Sequence, residues 1–513
     1  MSLSRKATVG AGWMIALRGA SRLLGFANTL ILARLLLPTD FGLVAMAMTF
    51  EGAILIMSQF PVQDALLRRP ESDTRLHNAA FTIQVGRSLL TAGILAAGAP
   101  FAAAWFSEPR LTALILALAA TSVINGLISV GIVEFRRNLR FDVQFKLQLI
   151  PAVLQIVAVL GTAWLTHSYW ALLVGVMVLR ISRVCMSYAI HPYRPRLTLY
   201  GWRELIGFSF WLWLSGLASM VWGDFDAFAV GRIFGSAGLG LYTVAGQVAI
   251  LPTTELLVPL SDVLLASFAY GQREAPNSAV NPLRVAVILL LVLAPMGLVI
   301  SAGAAEIVSL LLGPHWSAAV PLVAIAAWSV VFQPFFSVCG AALVARGKVR
   351  RRFLITMLAA AVRVTLVTLA VFSGSLVVVV CATLGAFGSG AIAYVLGLRS
   401  DLLGEAGRFL GGLVRIAAAI AAAALALATL KLGWQPLAEV ALGSHSRHIV
   451  ALLHLGIEGT IATAVYGLVL LALWLVCGSP DGPEKAVLTL LREVVPVRGL
   501  WLSATRLAGQ FRR

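Results

Sequence analysis

The chain has 513 residues, of which 60% are hydrophobic and only 12% are charged, and its mean hydropathy is +0.92. This composition excludes a water-soluble globular protein and is typical of a polytopic membrane protein. The net charge of +17 would suit a protein that binds nucleic acid. No DNA- or RNA-binding motif accompanies the charge, so we attribute it to membrane topology.

Apolar segments long enough to cross a bilayer, which takes about 17–25 residues, follow one another along almost the whole chain. The first contains Arg18 and Arg22 and continues past Ile31, so it is too long and too charged to be the core of a signal peptide. The sequence predicts an all-α polytopic membrane protein with about fourteen transmembrane helices. The predicted segments are 10–33, 41–61, 79–105, 111–133, 145–166, 169–190, 205–230, 239–265, 285–312, 318–345, 353–373, 375–398, 409–430 and 449–477.

Basic residues are concentrated in alternate connections between these segments. Short cytoplasmic connections carry the excess of lysine and arginine in membrane proteins. With the amino terminus inside, 27 of the 39 basic residues fall on the inner side and seven within segments. The outer connections hold five, namely Arg34, Arg110, Arg232, Lys431 and Arg447. We therefore predict a multi-pass protein with both termini in the cytoplasm.

Two connections echo each other at a distance of 198 positions. The stretch ARLLLPTDFGLVAMA covers residues 33–47, and GRIFGSAGLGLYTVA covers residues 231–245. Gly42 aligns with Gly240 in this comparison. Duplicated transporter folds leave weak internal symmetry of this kind. The alternative is that hairpin connections between apolar helices share Gly, Ala and Leu by composition alone.

These two stretches also resemble landmarks of the polysaccharide-transporter flippases. R-x-L-x-P-x-D-F-G-L begins at Arg34, D-x-D-x-x-x-x-G-R-I-F-G runs from Asp224, and Leu312-Gly313 followed by Trp316 resembles a third landmark. Their order and spacing across some 400 residues carry the resemblance. The motif residues expected to be structural are Arg34, Asp40, Gly42, Asp224, Asp226, Arg232, Gly240 and Tyr242. Asp224 and Asp226 are expected to clamp Arg232 or Arg34.

The resemblance implies a member of the multidrug/oligosaccharidyl-lipid/polysaccharide exporter superfamily. Two six-helix bundles, 1–203 and 204–402, would be related by pseudo-twofold symmetry and form a V around a central cavity, followed by two helices in 403–477 and a cytoplasmic tail in 478–513. The implied function is a flippase for a polyprenyl-pyrophosphate-linked oligosaccharide repeat unit. It would carry this substrate from the inner to the outer leaflet of the bacterial cytoplasmic membrane, for surface polysaccharide or exopolysaccharide synthesis. Membrane lipids and a polysaccharide polymerase are the implied partners, without nucleic acid.

Arginines at membrane depth are the candidate substrate ligands. Inserting such a charge costs at least about 2.5–3.5 kcal/mol, so each should face a cavity or a partner. Arg18 and Arg22 are four residues apart and share one helix face. Together with Arg87 and Arg363, they are the predicted contacts to pyrophosphate, because guanidinium offers paired donors to phosphate oxygens. Three further arginines lie close enough to the inner interface to snorkel and are expected to be structural: Arg180, Arg183 and Arg415.

Two membrane carboxylates are candidates for coupling transport to sodium or protons. Glu255 lies between Pro252 and Pro259, where missing backbone donors would bend or open the helix. Glu51 lies in the second predicted segment. For both residues the alternative is an ion pair that neutralises a membrane arginine.

The sequence contains none of the catalytic motifs P-loop, GxSxG or HExxH. No cofactor is predicted. His445, His448 and His454 form no convincing metal site. The four cysteines lie in apolar segments and are expected to be small buried hydrophobes. Two alternatives remain. One is a multidrug cation antiporter of the same fold, and the other is an integral-membrane glycosyltransferase or polymerase, which would need more acids than the single Glu439 of the outer loop 431–449.

Overall fold

The computed structural model of the chain describes residues 25, 28–58, 74–137, 140–198, 200, 210–250, 281–442, 447–478, 483–485 and 487. Every regular element in this part of the chain is a helix. A helix satisfies its own backbone hydrogen bonds, which hydrocarbon cannot do for it. The prediction of an all-α membrane protein is confirmed.

The principal helices follow the predicted segments in order. Residues 25 and 28–33 are the described part of the first segment, and the helix continues to residue 35. The helices are α1 (Pro38–Ser58), α2 (Thr74–Phe106), α3 (Arg110–Gly126), α4 (Phe141–Thr166), α5 (Trp170–Ile190), α6 (Phe210–Ala249), α7 (Pro282–Ala302), α8 (Val349–Val371), α9 (Leu376–Gly397), α10 (Arg399–Leu442) and α11 (Arg447–Val476).

Helix α6 is two helices joined at Gly235. This residue has φ 67° and ψ −168°, a conformation that favours glycine because it has no Cβ atom. The break falls in the predicted connection between the seventh and eighth segments. The second copy of the repeated stretch therefore turns the chain at a single glycine, without a separate loop.

The stretch between α7 and α8 is a series of short helical pieces rather than two uniform helices. It includes π-helical turns at Val308–Leu312 and Phe335–Cys339. Gly313 ends the first of these with φ 94°, and Trp316 is fully buried three residues later. The third sequence landmark therefore marks a turn that needs glycine, followed by an aromatic anchor.

Within the described residues, eleven helices are long and apolar enough to cross a membrane. Helix α3 is shorter, at 17 residues. Helix α6 counts once although it contains parts of two predicted segments, and most of the first segment lies outside the described residues. The count of fourteen stays a prediction.

Large apolar side chains cover the outer surfaces of the helices. Phe101, Trp164 and Leu165 are among the most exposed. Exposed apolar surface on this scale is unfavourable in water but suits contact with lipid. The prediction of a multi-pass membrane protein is confirmed.

The four cysteines are all free, but only Cys339 is buried. The expectation of burial is wrong for Cys185, Cys381 and Cys477, which lie on exposed helix surfaces. An apolar helix in a bilayer carries hydrophobic residues on its lipid face as well as on its packed face. Hydropathy alone therefore does not indicate burial here.

The chain divides into two compact units, Met1–Thr243 and Val244–Arg513. The core of the second unit contains Leu290 of α7, Tyr394 of α9, Ala423 of α10 and Tyr466 of α11. The last two helices thus share the core of this unit. The predicted bundle boundary at 203/204 stays a prediction.

In the first unit, the connection that follows α5 lies against the start of α2. Asn78 Oδ1 accepts from the Tyr193 hydroxyl at 2.6 Å and from the Arg196 backbone nitrogen at 3.0 Å. The backbone nitrogen of Thr198 donates to Thr82 Oγ1 at 2.8 Å. These bonds satisfy backbone groups that would otherwise be unpaired and fix the connection to the helix.

Candidate functional site

Glu51 is the most buried charged group among the described residues of the first unit and is 2% exposed. Its Oε1 accepts from Arg180 Nη2 at 2.8 Å and from Ser122 Oγ at 2.9 Å. Arg180 Nη1 also donates to Thr121 Oγ1 at 2.8 Å. This polar cluster joins α1, α3 and α5 inside an otherwise apolar bundle.

Arg180 does not snorkel as expected, but its contacts agree with the structural role that the sequence also predicts. Its side chain is only 14% exposed and its guanidinium reaches inward to the carboxylate. This geometry matches the alternative role considered for Glu51, which is to neutralise a membrane arginine. Removing either member of such a buried pair would leave an uncompensated charge. The coupling role of Glu51 has no support in these contacts.

Arg87 lies on α2, about 12 Å from the start of its predicted apolar segment. Its side chain is half-buried. Unlike Arg180, it makes no hydrogen bond or ion pair with any other described residue. Arg87 therefore presents a guanidinium group at membrane depth without a protein counter-ion in the described part of the chain.

Arg363 lies midway along α8 in the second unit and is 5% exposed. Its guanidinium carbon is 5.1 Å from the centre of the Phe387 ring on α9. Stacking on an aromatic face stabilises a buried arginine and fixes its orientation.

The remaining predicted ligands are not placed by the structure. Arg18 and Arg22, and the segment with Glu255 between Pro252 and Pro259, lie outside the described residues. Their roles stay predictions.

Arg415 on α10 does not snorkel as expected, but its contacts agree with the structural role that the sequence also predicts. Its Nε and Nη2 donate to the two carboxylate oxygens of Glu484 at 2.6 and 3.1 Å. The side chains are 10% and 5% exposed. A short piece of the predicted cytoplasmic tail therefore packs into the second unit.

A second ion pair in this unit joins α10 to α11. Lys431 Nζ lies 3.3 Å from Glu458 Oε2 and also donates to the carbonyl oxygen of Ala302. The sequence assigned Lys431 to an outer connection and Glu458 to the membrane, without relating them. The two residues lie on different helices, so no local sequence pattern predicts that they pair.

The motif residues make contacts that fix the backbone of the first unit. Asp40 Oδ2 accepts from the Leu37 nitrogen at 3.0 Å, which caps the start of α1. Asp226 is buried and accepts from the Tyr242 hydroxyl. The small residues Gly42 and Gly240 allow their backbones to approach closely.

Arg232 does not form the expected clamp with an aspartate among the described residues. Its Nη1 donates to Ser107 Oγ at 2.8 Å, and its guanidinium carbon lies 5.5 Å from the centre of the Trp105 ring. Of the two arginines considered for the clamp, Arg34 remains the candidate partner of Asp224 and Asp226.

Comparison with known proteins adds relatives that function in polysaccharide synthesis. The succinoglycan biosynthesis transport protein ExoT of Rhizobium meliloti (strain 1021) is 24% identical over 331 residues, which cover 64% of this chain and 66% of that protein. The lipopolysaccharide biosynthesis protein WzxC of Escherichia coli (strain K12) is 21% identical over 360 residues, which cover 68% and 72%. The chain thus spans slightly less than two thirds of ExoT.

Solved structures of transporters have a similar fold. The lipid II flippase MurJ, in an inward closed conformation, matches with a TM-score of 0.68 at 13% identity and covers 90% of this chain and 98% of its own. An inward-facing multidrug resistance MATE family transporter of the MOP superfamily matches with a TM-score of 0.59 at 15% identity, covering 75% and 98%. At these identities the likeness establishes the fold and not the cargo.

The family model described as polysaccharide biosynthesis protein matches residues 31–321, more than half of the chain. This range includes both copies of the echoed motif and the Gly313–Trp316 landmark. The chain is therefore a multi-pass membrane protein that belongs to the polysaccharide biosynthesis protein family.

Proposed function

We propose that this protein is a flippase for a polyprenyl-pyrophosphate-linked oligosaccharide repeat unit. It moves this substrate from the inner to the outer leaflet of the bacterial cytoplasmic membrane, where a polysaccharide polymerase uses it for surface polysaccharide or exopolysaccharide. The family, the transporter fold and the roles of ExoT and WzxC in polysaccharide biosynthesis support this proposal. Both termini face the cytoplasm, as the distribution of basic residues predicts.

The observation that carries the proposal is the guanidinium group of Arg87, which has no ion pair or hydrogen bond among the described residues. A membrane arginine normally has a partner because its insertion is costly. Arg180 has such a partner in Glu51, whereas Arg87 has none among the described residues. A pyrophosphate that enters from the inner leaflet would provide that partner through charge-assisted hydrogen bonds.

Arg18, Arg22 and Arg363 complete the proposed set of phosphate contacts. The lipid tail remains in the bilayer, so the protein must accommodate mainly the charged and sugar parts. With Glu51 occupied by Arg180, Glu255 is the candidate that couples transport to sodium or protons. A carboxylate beside two prolines would report on the conformation of its helix.

The test is a flipping assay with purified full-length protein in liposomes that contain a fluorescent lipid-linked oligosaccharide. We expect the wild-type protein to move the label between leaflets. Each charge-assisted contact contributes about 1.5–3 kcal/mol, so Arg87→Ala should weaken substrate binding by roughly tenfold to a hundredfold. Arg87→Lys should keep part of the activity, because it retains the charge and loses only the bidentate geometry.

The matched control is Arg110→Ala, which removes an exposed arginine that already pairs with Glu108 at 2.8 Å. It should leave flipping unchanged. Export of organic cations without movement of the labelled lipid would favour the antiporter. Elongation of the oligosaccharide by the protein alone would favour the enzyme and contradict the proposal.

A further inference from the structure

A pocket of about 400 Å³ lies within the first unit, between α4, α5 and the helical turns at residues 130–137. Each of the two long helices lines it with polar side chains one turn apart. Gln144 and Gln148 share one face of α4, and Arg183 and Ser187 share one face of α5. The two helices therefore present four polar groups to one cavity.

Three of these groups have unused hydrogen-bonding capacity. Arg183 is half-buried, and neither it nor Gln148 makes a hydrogen bond or ion pair with another described residue. Gln144 Oε1 is buried and accepts no hydrogen bond in the described part of the chain. Buried polar groups are nearly always paired, so this pocket is complementary to a ligand that combines an anion with a hydroxyl donor.

Three described acidic residues of the first unit already have basic partners. Glu51 binds Arg180, Glu134 Oε2 lies 3.2 Å from His191 Nε2, and Asp142 lies 3.6 Å from Arg140. None of these three pairs includes Arg183. No described acidic residue pairs with Arg183, so its positive charge is available to a ligand.

The position and the walls of the pocket favour a membrane lipid over a soluble ligand. It lies at the end of α4 and α5 where the connections are basic, with Arg140, Lys146, Arg194 and Arg196 nearby in sequence. Basic pockets between transmembrane helices on the cytoplasmic side bind anionic headgroups. Its other walls are apolar, formed by side chains such as Ile132, Val133 and Leu147, and suit the glycerol and upper acyl region of a lipid.

We propose that this pocket binds an anionic phospholipid whose headgroup carries hydroxyl groups, of the phosphatidylglycerol class. The phosphodiester contacts Arg183, and a headgroup hydroxyl donates to Gln144 Oε1. Gln148 donates its amide hydrogens to the remaining phosphate oxygen. This lipid is a resident of the bilayer and is distinct from the proposed transported substrate.

The test is native mass spectrometry of the purified full-length protein, titrated with three lipids of equal chain length. Phosphatidylglycerol, phosphatidylmethanol and phosphatidylcholine separate the roles of hydroxyl and charge. We expect the wild-type protein to bind phosphatidylglycerol most tightly. Arg183→Gln should weaken this binding by roughly tenfold to a hundredfold, whereas Gln144→Met should remove only the preference for phosphatidylglycerol over phosphatidylmethanol.

Arg351→Gln is the matched control, because it removes an exposed basic residue of α8 that does not line the pocket. Equal binding of the three lipids, or unchanged binding in Arg183→Gln, would overturn the proposal. Displacement of the lipid by glycerol 3-phosphate at matched concentration would show a soluble phosphate site instead and would also overturn it. If Arg183→Gln does not fold, Gln144→Met decides the outcome. The measurement needs no transport, so it is independent of the flipping assay.

Discussion

Gly42 and Gly240 face each other across the contact between the two copies of the internal repeat. A Cβ atom built on Gly42 would overlap the carbonyl oxygen of Ser236 and lie 2.8 Å from the nitrogen of Gly240. One built on Gly240 would overlap the carbonyl oxygen of Pro38 and lie 3.0 Å from the nitrogen of Gly42. Pro38 and Ser236 are themselves equivalent at the repeat spacing. The contact is therefore reciprocal, as contacts across a twofold axis are.

Gly42→Ala should destabilise the first unit. The added methyl group meets backbone atoms that cannot rotate away, so the two helices must separate, at a cost of about 1–3 kcal/mol or more. The measurement is the melting temperature of the purified protein in detergent. Gly52→Ala on the same helix is the control, because its Cβ would meet nothing within 4 Å. Equal melting temperatures for the two variants would contradict the close contact.

The pair Glu51–Arg180 should behave as a structural unit in a double-mutant cycle. Removing either partner leaves the other charge buried, which costs about 3–5 kcal/mol. Glu51→Leu combined with Arg180→Leu should recover most of this loss, and transport should keep its pH and sodium dependence. Loss of that dependence in a stable double variant would restore Glu51 as a coupling site.

The bond between Glu484 and Arg415 should anchor the beginning of the tail to the second unit. Glu484→Gln breaks a buried bidentate pair and should lower the unfolding free energy by about 3–5 kcal/mol. Removal of all residues after Gly478 should have a similar effect on thermal stability. The double variant Arg415→Met with Glu484→Met should be more stable than either single variant. A tail deletion without effect would show that the pair contributes nothing.

Tyr193 should make stability depend on pH in the alkaline range. Burial raises the pKa of its hydroxyl to about 12, while an unfolded tyrosine has a pKa of about 10. The folded state therefore favours the protonated form, and its stability is complete below about pH 10 and falls as pH rises toward about 12. Tyr193→Phe should make the melting temperature less dependent on pH over this interval. Tyr200→Phe, at an exposed position, should leave the slope unchanged.

The predicted orientation can be read by cysteine labelling in intact cells. Ser107→Cys should be labelled from outside, and Arg350→Cys only after permeabilisation, because basic connections stay in the cytoplasm. The background must lack the exposed native thiols of Cys185, Cys381 and Cys477. The opposite labelling pattern would contradict the orientation.

The equivalence of Gly42 and Gly240 was visible in the sequence, and the structure explains why both positions are glycine. Glycine is needed at both positions because two backbones meet there. Gly313 and Trp316 were likewise visible as a landmark before their turn and anchor were known. By contrast, the partner of Arg180 lies 129 positions away in sequence, and no local pattern related the two residues.

The sequence by itself determined the class of protein, the course of its helices and its family landmarks. These depend on the length of apolar segments and on local backbone requirements, and both are properties of consecutive residues in the sequence. Only the tertiary structure decided which polar groups meet: Arg180 with Glu51, Arg415 with Glu484, and Arg183 with an open pocket. The reason is that these helices are apolar around most of their circumference. In a bilayer, hydrophobicity fixes where a helix runs but leaves its rotation and its neighbours to side-chain packing.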